Sequence, residues 1–153
     1  MAKVTFLNCW NAETYPLSIP VISFNEWNGL EPNQRHTYPL GAHFKDVQRI
    51  YCDDVTEAPD STYRLFDYID ALKIFTFLDK YPGEDIMVHC AAGVSRSPAL
   101  VKFMIDYFGY KQDLELNGDP DAFKCHNTHV YYTLKRAIYD HPRIQQTLQA
   151  ANQ

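Results

Sequence analysis

The segment from Ile86 to Phe108 limits the fold of this chain more than any other stretch. It begins with three apolar residues followed by His89, continues through a short loop, and closes with a mostly apolar run that stops at a glycine. A helix that is apolar on every side must be buried, and Pro98 is typical of the first turn of a helix. The segment therefore predicts a strand, a loop and an interior helix from Ser97 to Phe108.

Short runs of β-branched and aromatic residues, bounded by Pro, Gly, Asn or Asp, predict four strands. The strands cover Val4 to Leu7, Ile19 to Phe24, Gln48 to Cys52 and Ile86 to His89. Apolar residues at three- and four-residue spacing, together with stop signals, predict further helices. These helices cover Thr62 to Lys80, Thr128 to Tyr139 and Pro142 to Ala150.

Strands that alternate with helices favour an α/β fold with a central, mainly parallel sheet of four to five strands flanked by helices. The length of 153 residues suits one domain, so we assign residues 1–153 to a single domain. Ligands in such folds bind beyond the carboxyl ends of the strands, which points to the loop after His89. Residues 25–46 show little periodicity and predict a long loop, which is either functional or merely irregular.

Charge and hydropathy argue against several classes of function. The formal net charge is -5 and the Lys and Arg residues are scattered, so neither nucleic acid nor an anionic membrane is an expected partner. The amino terminus lacks the apolar run of a signal peptide, and no apolar run is long enough for a membrane span, which predicts a cytoplasmic protein. The four cysteines show no C-x-x-C spacing and are expected to be reduced thiols.

The loop between the fourth strand and the interior helix combines a cysteine, a glycine and an arginine. We call residues 90–96 the Cys90 loop. A glycine-containing turn at a helix amino terminus directs backbone N–H groups inward and adds the positive end of the helix dipole, and together these bind anions such as phosphate. The same field favours a thiolate, so we expect Cys90 to be an ionised nucleophile at neutral pH.

Arg96 presents a planar fork of donors that matches two phosphate oxygens. Ser97 is expected to donate a hydrogen bond to the Cys90 sulfur when that sulfur leaves as a thiolate, and His89 is expected to fix the loop. Catalysis is assigned to Cys90, Arg96 and Ser97 together with an acid. Substrate binding is assigned to Ala91, Ala92, Gly93, Val94, Ser95 and Arg96.

The run His89-Cys90-x5-Arg96-Ser97-Pro98 resembles the signature of the cysteine-based protein tyrosine phosphatases, and its Ala, Gly and Ser residues resemble the dual-specificity branch. The resemblance implies hydrolysis of phosphotyrosine, and of phosphoserine or phosphothreonine, on protein substrates. It further implies a cysteinyl-phosphate intermediate and no cofactor. The plain alternative is a buried cysteine beside a surface arginine, both placed for packing.

The leaving group needs a proton that an ionised cysteine cannot supply, so a carboxylic acid is required. The resemblance implies an aspartate on the loop after the strand that precedes the long helix. Asp53, Asp54 and Asp60 lie there. The pair after Tyr51-Cys52 resembles the family's acid loop, whose second aspartate is the acid, so we assign Asp54. Asp53 and Asp60 remain alternatives, and any of the three also suits a turn.

Several other residues have simpler interpretations than a functional one. Cys125, His126 and His129 lack the second ligand pair of a structural zinc site, so no metal is predicted. Asn127 is interpreted as the N-cap of the helix that follows it. Cys52 is either a packed strand cysteine, the simpler interpretation, or a thiol that traps an oxidised nucleophile as a disulfide.

Two other classes of function are weighed against a phosphatase. A phosphate-recognition module or pseudophosphatase would bind a phosphorylated partner with little turnover, but such proteins usually lose the cysteine or the arginine. Sulfur-transfer or arsenate-reducing enzymes use a similar loop without the whole His-Cys-x5-Arg-Ser-Pro context. Ala91, Ala92 and Val94 add no positive charge, which disfavours lipid headgroups as substrates.

Overall fold

The computed structural model describes residues 2–27 and 37–140 of the chain. The strands are β1 Lys3–Leu7, β2 Pro20–Asn25, β3 Asp46–Tyr51, β4 Ile86–His89 and β5 Lys111–Gln112. The helices are α1 Cys9–Glu13, α2 Tyr68–Asp79, α3 Arg96–Phe108, α4 Leu114–Asn117 and α5 Thr128–Ala137, followed by a 3₁₀ turn at Ile138–Asp140.

The five strands form one sheet in the order β3-β2-β4-β1-β5, and every pairing in it is parallel. The α/β fold expected from the sequence is therefore confirmed. Strand β4 has the predicted bounds, and β1, β2 and β3 differ from theirs by one or two residues. Strand β5 was not predicted, because two residues are too few to carry a period-2 pattern.

The sheet separates two apolar layers of unequal size. Ile86 and Val88 of β4 face the larger layer, which contains the buried faces of α2, α3 and α5. Met87 faces the smaller layer, where Ala12 of α1 and Phe44 cover the sheet. Successive strand residues point to opposite faces, so a short all-apolar strand must be covered on both sides. Strand β4 is the central strand and carries the Cys90 loop at its carboxyl end.

The predicted start of helix α2 at Thr62 is wrong, because the helix begins at Tyr68. Asp67 is its N-cap and forms a capping box with Asp70, each side chain accepting the other residue's backbone N–H. Arg64 lies outside the helix and pairs with both carboxylates. Leu65 fits the apolar spacing of the helix but lies before it, because the capping box makes Asp67 the N-cap.

The carboxyl-terminal helices were predicted in part. Helix α5 begins at Thr128 as expected but ends at Ala137, where a 3₁₀ turn replaces the last predicted residues. The helix predicted from Pro142 to Ala150 lies outside the described residues. Helices α1 and α4 were not predicted, because five and four residues are too few to show helical periodicity.

Asn117 of helix α4 hydrogen-bonds to the backbone of the sheet. Strand β5 pairs only with Lys3 and Val4 of β1. Farther along β1, Asn117 Oδ1 accepts the backbone N–H of Phe6 at 2.9 Å, and Asn117 Nδ2 donates to the Phe6 carbonyl at 3.0 Å. The amide therefore satisfies both backbone groups of a strand residue that has no strand beside it on that side.

No helix within residues 2–27 and 37–140 combines the length and the apolar character that crossing a membrane requires.

Candidate active site

The carboxyl ends of four neighbouring strands form one edge of the sheet, and the predicted site residues lie along it. The Cys90 loop follows β4, Cys9 follows β1, Glu26 follows β2 and Asp54 follows β3. Parallel strands all end at the same edge, so residues far apart in the sequence meet around the loop that follows the central strand.

Cys90 lies at the base of its loop and is 2% exposed. Its Sγ lies 3.1 Å from Ser97 Oγ and accepts the Gly93 backbone N–H at 3.3 Å. The contact with Ser97, a buried residue of the first turn of α3, is the one expected from the sequence. The sulfur therefore lies beside a hydroxyl and a backbone N–H, at the amino terminus of α3.

Gly93 is required by the backbone of the Cys90 loop. Its φ is +73°, a conformation that side-chain-bearing residues rarely adopt. A Cβ at this position would lie 2.7 Å from the backbone nitrogen of Asn8 and 2.9 Å from the carbonyl carbon of Leu7. The Ala91 carbonyl accepts the Cys9 N–H at 3.0 Å, so the loop rests directly on the turn after β1.

Arg96 is 2% exposed, which is rare for an arginine without several partners. Its Nη1 donates to the backbone carbonyls of Cys52 at 2.6 Å and Asn25 at 3.4 Å, and its Nη2 forms an ion pair with Glu26. Burial lowers the pKa of this guanidinium, but the Glu26 carboxylate and the Cys52 and Cys90 sulfurs together outweigh burial and raise the pKa, so Arg96 stays charged. Its Nε is buried and has no hydrogen-bond partner among the described residues.

Glu26 and Tyr38 belong to the site but were not identified from the sequence. The Tyr38 hydroxyl donates to the Glu26 carboxylate at 3.1 Å, and the Tyr38 ring lies edge-on, 6.0 Å from the ring of His89. Burial and the neighbouring Glu26 raise the pKa of the Tyr38 phenol, which therefore stays neutral and donates. Both residues come from the predicted loop 25–46, so the described part of that loop borders the site.

Asp54 is hydrogen-bonded to the Cys90 loop itself. Its Oδ1 accepts from Ser95 Oγ at 2.6 Å and from Asn127 Nδ2 at 2.9 Å, while its Oδ2 has no partner among residues 2–27 and 37–140. The residue is exposed, at the rim of the loop rather than below it. One carboxylate oxygen is thus held by two donors, and the other is left for a ligand.

The other two candidate aspartates have structural roles. Asp53 is 3% exposed, and its two oxygens accept the backbone N–H groups of Trp27 at 3.0 Å and Arg64 at 2.8 Å. Asp60 is exposed and accepts from both the hydroxyl and the backbone of Thr62, bonds that lower its pKa and favour its ionised form. Asp53 and Asp60 therefore hold the local backbone, whereas Asp54 is hydrogen-bonded to the Cys90 loop.

His89 belongs to a buried network beneath the Cys90 loop. Its Nε2 lies 2.7 Å from Ser23 Oγ and its Nδ1 lies 3.3 Å from the Cys90 carbonyl. Burial lowers the pKa of His89 to about 4, and Arg49 and Arg96 contribute to this shift. The ring is therefore neutral near pH 7. Since a carbonyl only accepts, Nδ1 carries the proton and Nε2 accepts from Ser23.

Cys9 and Cys52 lie near the site but differ from Cys90 in their surroundings. Cys52 is fully buried in the larger apolar layer, and burial raises the pKa of its thiol. It contributes its carbonyl to Arg96, and its thiol stays protonated, which makes it a poor nucleophile toward an oxidised Cys90. Burial also raises the pKa of the Cys9 thiol.

Asn127 is the N-cap of α5, as predicted, with its Oδ1 accepting the Val130 N–H at 3.0 Å. Its Nδ2 also donates to Asp54 and to the Val55 carbonyl, so the residue connects α5 with the Asp54 segment.

The histidines near Asn127 have backbone partners. His126 Nδ1 lies 2.8 Å from the Phe123 carbonyl, and His129 Nε2 lies 2.7 Å from the Phe66 carbonyl.

Within the two described ranges, no cluster of three His, Cys, Asp or Glu side chains is arranged to hold a metal ion. Comparison of the chain with protein-family models, with curated proteins and with solved structures finds no match.

Proposed function

We propose that this protein is a cysteine-dependent phosphatase of dual-specificity type. It hydrolyses phosphate monoesters on protein substrates through a cysteinyl-phosphate intermediate. Phosphotyrosine is the leading substrate, with phosphoserine and phosphothreonine as further candidates. The observation that carries the proposal is the buried Arg96, whose Nε–H is unpaired within the described chain, next to a cysteine held by Ser97 and the Gly93 N–H. A phosphate oxygen would satisfy that donor.

In the first step the Cys90 thiolate attacks phosphorus, forming an S–P bond as the bond from phosphorus to the ester oxygen breaks. The ester oxygen leaves with a proton from Asp54 Oδ2. Arg96 and the backbone N–H groups of the loop bind the three equatorial oxygens, on which negative charge lies in the transition state.

In the second step water attacks the phosphorus of the cysteinyl phosphate and loses a proton to the Asp54 carboxylate. The S–P bond breaks and inorganic phosphate forms. The sulfur leaves as a thiolate, and the Ser97 hydroxyl, 3.1 Å away, donates a hydrogen bond to it. The cationic loop supplies the charge stabilisation that a metal ion provides in other phosphatases, so the reaction requires no cofactor.

A cytoplasmic location and a phosphorylated protein or peptide as partner are part of the proposal. The nucleophile must stay reduced, and all four cysteines are free thiols. Nucleic acid and membrane are not partners in this proposal. The competing function is a phosphate-recognition module with little turnover, which shares the anion cradle but not the chemistry. The intact set of Cys90, Asp54 and Ser97 around one loop favours the enzyme.

The two functions are separated by aryl phosphate turnover in excess EDTA, measured for the wild-type protein, Cys90→Ser and Arg96→Lys. We expect wild-type turnover to be unaffected by the chelator, and Cys90→Ser to abolish turnover while still binding vanadate or phosphate. Arg96→Lys replaces a bidentate fork with a point charge and should also be severely impaired. Rapid quenching with labelled substrate should trap phosphate on Cys90. Binding without turnover in the wild-type protein would establish the recognition module instead.

A further inference from the structure

A cleft of about 410 Å³ lies beside the Cys90 loop, and the proposed reaction does not use it. Its lining includes Gly93 and Val94 of the Cys90 loop together with residues of α4 and of the turn after it. A second cleft, of about 360 Å³, adjoins Asp54 and Ser95. The Cys90 loop therefore borders two clefts, and the proposed acid lines only the second one. We call the first one the α4 cleft.

Part of the lining of the α4 cleft is apolar. Phe6 and Ala122 line it together with Val94 and Leu116, which are 53% and 51% exposed. Two exposed aliphatic side chains that face one cleft provide a surface for a hydrocarbon chain of a ligand.

Two carboxylates also line the cleft. Asp119 and Asp121 are exposed and line the cleft, and Lys124 is the single basic residue among its lining residues within the described chain. Asp119 Oδ1 accepts the Asp121 backbone N–H at 2.8 Å, which fixes the turn that carries both. A cleft lined by both carboxylates and apolar side chains complements a ligand side chain with a hydrocarbon stem and a cationic head, as in arginine or lysine.

The cleft is held in shape before any ligand arrives. Asn117 fixes α4 to β1 through its two hydrogen bonds to Phe6, and its carbonyl accepts from Gln112 Nε2 at 2.6 Å. Asp113 caps α4 by accepting the Leu116 N–H at 3.1 Å. A preformed cleft loses little conformational entropy on binding, so contacts within it contribute to affinity more fully.

We propose that the α4 cleft binds an arginine or lysine side chain that neighbours the phosphorylated residue of the substrate protein. This inference rests on the proposed function and names the substrate class: phosphoproteins with basic residues beside the phosphorylation site. Gly93 and Val94 belong to both the Cys90 loop and the cleft, so a phosphoryl group at Cys90 and a basic side chain in the cleft are bound side by side. The aliphatic stem packs on Val94 and Leu116, and the cation pairs with Asp119 and Asp121.

The test uses phosphotyrosine peptides that differ only in the two residues flanking phosphotyrosine: arginine, norleucine or glutamate. Norleucine keeps an aliphatic stem and removes the charge. For the wild-type protein we expect kcat/KM to be about three- to tenfold higher with arginine than with norleucine at low salt, and lowest with glutamate. The arginine preference should shrink at high salt, because exposed ion pairs are screened.

The double variant Asp119→Asn/Asp121→Asn should lose the arginine preference while keeping its turnover of a small aryl phosphate, which does not reach the cleft. Asparagine retains the acceptor that fixes the turn. The matched control is Glu84→Gln, which removes one half-buried carboxylate, paired with Lys45, just before the amino end of β4 and should keep the preference. Equal kcat/KM for arginine and norleucine peptides in the wild type, or a preference that survives the double variant, would overturn the inference.

Aryl phosphate turnover keeps the two proposals apart. If the protein hydrolyses aryl phosphate but shows no preference among the peptides, the proposed basic-residue subsite is wrong and the proposed phosphatase function is retained. If the wild-type protein hydrolyses no aryl phosphate, the phosphatase fails, and the same peptides are compared by fluorescence anisotropy. Tighter binding of the arginine peptide that requires Asp119 and Asp121 then still supports a basic-residue subsite, and equal binding overturns it.

Discussion

Gly93 shows how much of the proposed chemistry depends on one backbone conformation. The residue donates its N–H to the Cys90 sulfur, and its missing side chain leaves room for the turn after β1. Most other residues keep an N–H but strain the loop, since a positive φ is unfavourable for them and a Cβ would overlap backbone atoms of Leu7 and Asn8.

Gly93→Ala is expected to lower aryl phosphate turnover by about a hundredfold or more, because the loop must shift to relieve the overlap and misplaces its donors. Gly109→Ala is the matched control: Gly109 has a φ of +75°, and a Cβ there would meet nothing within 4 Å. It should cost about 1–2 kcal/mol of stability and leave turnover unchanged. Steady-state kinetics and urea unfolding of both variants provide the measurement. Equal kinetics for the two variants would contradict the role of the close contact.

Asp54→Asn is expected to lower turnover of substrates with poor leaving groups by about 10²–10⁴, the usual effect of removing a general acid. Good leaving groups, which are stable without a proton, should be affected less. Asparagine keeps the acceptor for Ser95 and Asn127 through its own carbonyl oxygen, so the loop should stay in place. The measurement is the dependence of turnover on leaving-group pKa. If Asp53→Asn or Asp60→Asn gives this pattern instead, the acid is assigned wrongly.

At the scale of elements, Asn127 couples helix α5 to the Asp54 segment. Asn127→Ser keeps an oxygen for the helix cap but is too short to reach Asp54, whereas Asn127→Ala loses both contacts. We expect both variants to lower turnover of poor leaving groups, by less than Asp54→Asn does. The alanine variant should be less stable than the serine variant by about 1 kcal/mol, the usual contribution of a cap.

Chemical unfolding combined with kinetics checks this pair of variants. A serine variant with wild-type kinetics would show that the bond from Asn127 to Asp54 does not position the acid.

The sequence predicts those elements whose determinants are local. Strand β4, the Cys90 loop and α3 form one continuous segment, and its apolar pattern, glycine and proline all lie within it. The start of α2 was missed because Leu65 fits the helical period while the capping box of Asp67 and Asp70 starts the helix later. Local hydrogen bonding overrides apolar spacing at such a boundary.

Glu26 and Tyr38 were missed for a different reason. The pair of Glu26 with Arg96 joins residues 70 positions apart, and no local pattern marks either partner. Only the common edge at the carboxyl ends of β2 and β4 brings them together. A buried arginine needs a carboxylate, so the sequence indicates that a partner exists but does not identify it among 19 acidic residues.

At the scale of the whole molecule, His89 makes stability depend on pH. Its pKa is about 4 in the folded protein because burial opposes its charge, against about 6.5 in the unfolded chain. Below pH 6.5 the unfolded chain binds a proton that the folded protein excludes. The free energy of unfolding is therefore not reduced by His89 above pH 6.5, and it decreases as the pH falls toward 4.

The expected loss through His89 between pH 7 and pH 5 is about 2 kcal/mol of unfolding free energy. Urea unfolding at both pH values measures it, with His89→Gln as the comparison, because glutamine hydrogen-bonds but does not titrate. The wild-type protein should lose more stability than the variant over this interval. The same loss in both would assign the pH dependence to other groups.

The amide of Asn117 has a consequence for how copies of this protein behave toward one another. Beyond β5, the outer side of β1 would present the N–H and carbonyl of Phe6 as a free sheet edge, and such edges recruit strands from neighbouring molecules. Asn117 occupies both groups and ends the sheet in the way that a further strand would. A two-residue β5 is thereby sufficient, and the side chain that shapes the α4 cleft also protects the molecule against edge-to-edge aggregation.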